Sequence, residues 1–95
     1  MVDVTVNNNV VIIKGDITNI DDFEKIKSII EPLKNKKELV IEIIDSVYIT
    51  SSLIGYLYKL KEKDEVDLII KIAKNELKEV FEDLNLLEVF KVETL

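Results

Sequence analysis

The hydrophobic period of this chain changes repeatedly along its length, and that alternation leaves few folds open. Val10, Val11, Ile12 and Ile13 form an apolar β-branched run ending near Gly15. Residues 39–44 are almost continuously apolar, interrupted only by Glu42, and 66–72 is a third such run. Short runs of this kind, bounded by turn residues, read as strands. The segments between them repeat their apolar residues every three or four positions instead. Phe23, Ile26, Ile29, Ile30 and Leu33 make one stripe, and Leu53, Ile54, Leu57 and Leu60 a second. Leu77, Val80, Phe81 and Leu84 make a third. Such stripes are the buried faces of amphipathic helices.

Turn and cap signals set the boundaries. An alternating segment at 2–6 predicts a first strand, and Asn7, Asn8 and Asn9 predict a hairpin turn, because Asn tolerates left-handed backbone. Asn19 or Asp21 is placed to cap the first helix, which should end near Glu31, since Pro32 disfavours helix at the residue before it. The second helix is expected over 51–63, Asn75 is expected to cap the third, and 89–92 to form a last strand. The order is then β-β-α-β-α-β-α-β. The fold class is α/β: one domain, 1–95, with a mostly parallel mixed sheet of about five strands and three or more helices. The run at 39–44 predicts a central strand covered by helices on one face and buried on the other.

Composition removes whole classes of chemistry. The chain has neither Cys nor His, so it offers no thiolate, no imidazole base and no imidazole or thiolate metal ligand. Its only glycines are Gly15 and Gly55, too few for a phosphate-cradling loop. All thirteen basic residues are Lys and the net charge is −6, which argues against direct nucleic-acid binding. No apolar run approaches the ~20 residues of a membrane span, so a cytoplasmic protein away from the membrane is expected. The pair Asp21 and Asp22 suits a helix start, and Asp45 suits a turn cap. Neither brings a metal-ligand pattern, and no metal or cofactor is expected. A serine nucleophile would have only Lys as its base, so an enzyme is not expected.

The segment that stands apart is Thr50, Ser51 and Ser52, three hydroxyls between an apolar run and an apolar-striped helix. One of them, Thr50 or Ser51, should cap the helix; capping does not require three. A hydroxyl at a helix start lies beside free N–H groups and the positive end of the dipole, where a phosphate of about −1.5 to −2 charges is tolerated. Tyr48, Tyr56 and Tyr58 are read equally as interface aromatics or as core.

These residues resemble the STAS family, in its anti-sigma factor antagonist type. Residues 39–57 are similar to that family's apolar strand and Asp-Ser-Ser/Thr-Gly-Leu-Gly helix start. Gly15, Asp16, Ile17 and Thr18 resemble its Gly-Glu-Leu-Asp, and 80–90 resembles its closing helix and strand. The resemblance implies a domain that binds rather than catalyses. It implies a protein partner, a serine-kinase anti-sigma factor, phosphorylation at the position of Ser51, and regulation of transcription. It implies partner contacts at Thr18, Thr50, Ser51, Ser52, Leu53, Gly55 and Tyr56. Thr50 and Leu53 stand where the pattern has Asp and Gly, Thr18 where it has Asp, and Leu86 where Gly is usual. The alternative is a constitutive STAS interaction module of a signalling or lipid-transport complex, not phosphorylated. A homodimer is left open.

Overall fold

A computed structural model describes residues 1–95. Strand β1 (Asp3–Asn7) turns back on β2 (Val10–Lys14), and helix α1 (Ile20–Ile30) follows. Next come β3 (Glu38–Ile43), α2 (Ser51–Glu62), β4 (Asp67–Ile72), α3 (Asn75–Asp83) and β5 (Lys91–Thr94). The five strands form one sheet in the order β1-β2-β3-β4-β5, with β1 antiparallel to β2 and the rest parallel. The hairpin closes through Asn8, whose φ of 57° is the left-handed conformation that the Asn triplet predicted. The helix α1 stops at Ile30, and Pro32 sits in the first turn of a 3-10 segment, Glu31–Lys36, that carries the chain to β3.

Each parallel connection steps to the adjacent position in the same direction. Right-handed crossovers in that order place all three helices on one face of the sheet. The burial alternation agrees. Val11, Ile13, Leu39, Ile41, Ile43, Leu68, Ile70 and Ile72 are buried and share one core with Ile26, Ile30, Leu53, Leu57, Leu60, Leu77 and Phe81 from the helices. The intervening Val10, Ile12, Val40, Glu42, Ile69 and Lys71 are only half-buried. The expectation of a β3 buried on both faces is therefore corrected. No crossover returns along the second face, so only neighbouring strand side chains shield it.

Two boundaries also differ from expectation. The last strand runs Lys91–Thr94, because 86–88 coil into a 3-10 turn that Val89 closes by donating to the Leu86 carbonyl at 3.1 Å. Asn75 does not cap α3. It is the first helical residue, its side chain donates to Glu79 Oε1 at 3.3 Å, and Lys74 occupies the cap position without a side-chain bond. Asn75 was the only capping side chain near that boundary in the sequence, so a cap position held by Lys carried no signal.

Candidate functional site

The C-terminal ends of β2 and β3 open into two neighbouring loops, 15–19 and 44–50, and α2 starts where the second ends. Thr50 is the N-cap of α2: its backbone is extended (φ −83°, ψ 151°) and its Oγ1 accepts from the Leu53 N–H at 3.1 Å. Capping therefore falls to Thr50, and the exposed Ser51 and Ser52 are spared it. The amides of Ser51 and Ser52 belong to the first turn, which has no intrahelical acceptor for them. No acidic residue lies in that turn. The site is thus a free hydroxyl at the positive end of a twelve-residue helix.

The other expected contact residues divide between surface and core. Gly55 is exposed on the outer face of α2, and a Cβ there would meet nothing within 4 Å. Thr18 is exposed in the first loop, its N–H donating to Asp22 Oδ2 at 3.1 Å. Leu53 and Tyr56, at 1% and 6% exposure, point beneath the helix into the core. Leu53, which replaces a motif glycine, thus adds no bulk beside Ser51. Of the three tyrosines whose placement was open, Tyr48 and Tyr58 are exposed and Tyr56 is core.

Tyr56 ties α2 to the end of α1. Its ring meets Phe23 edge-on at 6.0 Å, Lys27 Nζ lies 5.8 Å from its centroid, and its hydroxyl donates to Glu31 Oε2. That hydrogen bond is the main reason the Glu31 carboxyl is held below its ordinary range, with Lys34 at 3.2 Å adding to it. Burial, then the hydrogen bond to Glu31, pushes the Tyr56 hydroxyl far upward.

Three side chains hold the first loop from outside it. Asp45 Oδ2 accepts from the Gly15 N–H at 3.2 Å, Ser46 Oγ from the Ile17 N–H at 3.0 Å, and Asp22 Oδ2 from the Thr18 N–H. Ser46, fully buried, also accepts from the Tyr48 N–H at 3.2 Å and donates to the Tyr48 carbonyl at 2.7 Å. Asp22 additionally accepts from the Val2 N–H at 3.3 Å, and its amide bonds turn its carboxyl more acidic, that from Thr18 most. Sequence reasoning took Asp45 for a turn cap and Asp22 for a dipole partner, and it passed over Ser46. The available signal for Ser46 was a small hydroxyl directly after a buried strand, where polar groups need partners.

A mixed sheet with one antiparallel edge and three helices on one face is a STAS-like fold. The chain is similar to the crystal structure of an anti-sigma factor antagonist from Mycobacterium paratuberculosis, with a TM-score of 0.72 and 15% sequence identity. The match covers 98% of this chain and 84% of that one. At this identity the likeness establishes the fold. No family model matches the sequence, and no curated protein does.

Proposed function

We propose that this chain is an anti-sigma factor antagonist that binds a serine-kinase anti-sigma factor and is switched off by phosphorylation of Ser51, thereby regulating transcription. The observation that carries the reading is the division of labour at the start of α2: Thr50 caps, and Ser51 is exposed on a first turn without acids. In the transfer, Ser51 Oγ forms a bond to the γ-phosphorus of ATP, the bond to the bridging oxygen breaks, and ADP leaves. The hydroxyl proton goes to a base of the kinase. The new dianion sits over free amides, so the fold tolerates it. A partner surface packed there loses its fit through desolvation and bulk.

Mass spectrometry of the intact protein, after incubation with the cognate kinase and ATP, should show one added phosphate, absent from Ser51→Ala. Pull-down of that kinase should succeed with wild type and fail with Ser51→Asp. Equal binding by both proteins, with no mass shift, would instead identify a constitutive interaction module in a signalling or lipid-transport complex.

A further inference from the structure

The last strand, β5, is an edge of the sheet, and the direction of its main-chain groups can be assigned. The Leu95 N–H donates to the Ile72 carbonyl at 3.0 Å, and the parallel register sets Ile70 beside Val92 and Ile72 beside Thr94. Main-chain groups alternate along a strand, so Lys91, Glu93 and Leu95 turn theirs toward β4. Val92 and Thr94 turn theirs outward, where the sheet has no further strand. The side chains of Lys91 and Glu93 stand on the open face, level with Ile69 and Lys71, and the half-buried Val92 stands on the helix face. Lys91 bonds Asp67 at 3.3 Å, but both side chains are more than half exposed, so that pair holds Lys91 only weakly. An edge of this kind accepts another strand unless something blunts it. A lysine is the usual device, because two identical edges then repel.

In β5 that protection is cancelled by Glu93, which shares a face with Lys91. A second copy of the strand can add antiparallel about a two-fold axis only with residues of the same face opposite each other. Centred on Lys91 or on Glu93, such a register sets lysine against lysine or glutamate against glutamate. Centred on Val92, it sets Lys91 of each copy against Glu93 of the other, on both sides of the axis. Val92 then exchanges both main-chain bonds with Val92 of the second copy, because its groups are among those that point outward. Lys91 and Glu93 fall at the closely spaced positions without main-chain bonds, where side chains opposite each other lie nearest. The same register carries the exposed Leu95 toward the turn that precedes Lys91 in the second copy, where Leu87 is also exposed. The opposite edge has no such match, since β1 carries a single charged residue, Asp3. We propose that β5 is a homodimer interface, joining two copies of this chain into one continuous sheet by antiparallel pairing centred on Val92. Helix α2 lies on the crossover from β3 to β4, away from this edge, so Ser51 stays open in both copies.

The test is sedimentation equilibrium of the whole chain at low salt, from micromolar to millimolar concentration, and it needs no kinase. The wild-type mass should rise with concentration from 11.0 kDa toward twice that value and stop there. Lys91→Glu and Glu93→Lys should each weaken the dimer at least about tenfold, because each turns both attractive pairs into repulsive ones. An equal mixture of the two single variants should dimerise again, and so should the chain that carries both substitutions. Val92→Pro removes an outward N–H and no bond to β4, so it should abolish the dimer. Should Val92→Pro not fold, the charge variants still decide, because both side chains are exposed and the mixture reports pairing rather than stability. A wild type that stays at 11.0 kDa throughout overturns the proposal. Association that Lys91→Glu retains within about threefold lies elsewhere, on the open face or on β1, and also overturns it. So does a mixture that fails to dimerise, or a mass that grows past two chains, the mark of β5 pairing head-to-tail with β1.

Discussion

At the start of α2 two adjacent residues carry different jobs, and substitutions separate them. Thr50→Ala removes the bond to the Leu53 N–H and should cost about 1 kcal/mol in urea titration, whereas Thr50→Asp should keep the cap. Ser51→Ala, exposed and outside the cap, should leave stability within about 0.5 kcal/mol. The two glycines differ in the same way. Gly55→Ala should stabilise by about 0.5–1 kcal/mol, because its position is an ordinary helix interior with open space for a methyl group. Gly15→Ala should destabilise: its φ is 93°, and a Cβ would lie 2.6 Å from the Met1 carbonyl oxygen. The sequence made one of the hydroxyls a cap but could not say which. That choice depends on the exact residue at which the backbone turns helical, and propensity does not resolve single residues at an element's end.

Between elements, the contact of α1 with α2 is aromatic at its centre and ionic at its edge. Tyr56 packs on Phe23 and bonds Glu31, while Lys34 and Lys59 converge on Asp64 at 3.7 and 3.3 Å. The ions there have consequences for pH. Glu31 is held low by the Tyr56 hydrogen bond, and Asp22 by its amide bonds. Partial burial pushes Asp64 upward, but its two lysines outweigh that and leave it low as well. Carboxyls depressed in the folded state bind fewer protons than in the unfolded chain at mildly acid pH. Their stabilisation is present above the ordinary carboxylate range and is lost as pH falls through their folded values. Tyr56 works in the opposite sense. Its hydroxyl is raised from an ordinary value of 10.0, so its contribution is present below that pH and is lost as pH rises beyond it. Urea midpoints measured from about pH 2 to 11 should fall at both ends, and Tyr56→Phe should flatten the alkaline fall. The pairing itself was not legible in the sequence. Helical spacing puts Tyr56 on the inner face, three residues after Leu53 and four before Leu60, but its partner Glu31 is 25 residues away, on another element.

For the whole molecule, the sheet has helices on one side only, and its other side faces solvent. Across that face, register places Glu42 beside Lys71 and Lys71 beside Glu93, among Val10, Ile12, Val40 and Ile69. Alternating charges across strands are favourable pairs, and they divide what would otherwise be a continuous apolar patch. Glu42→Val combined with Lys71→Val should merge that patch and drive self-association, seen as a concentration-dependent increase in sedimentation coefficient. The wild-type sheet face should give no such increase.

The sequence by itself determined the element order, the parallel character of the sheet, the turn at Asn8, the break at Pro32 and the junction where the hydroxyls gather. Each of these follows from local chemistry: β-branched runs, helical stripes, and residues that fix or free the backbone. Tertiary structure alone decided that all the helices lie on one face, that Tyr56 bonds Glu31, and that Ser46, Asp45 and Asp22 lock the first loop from outside. Those outcomes depend on which way the chain crosses over and on partners 20 to 30 residues apart. A hydroxyl or a carboxylate reads the same in sequence whether it meets water or a distant amide; burial makes the difference, and burial is a property of the assembled sheet and helices.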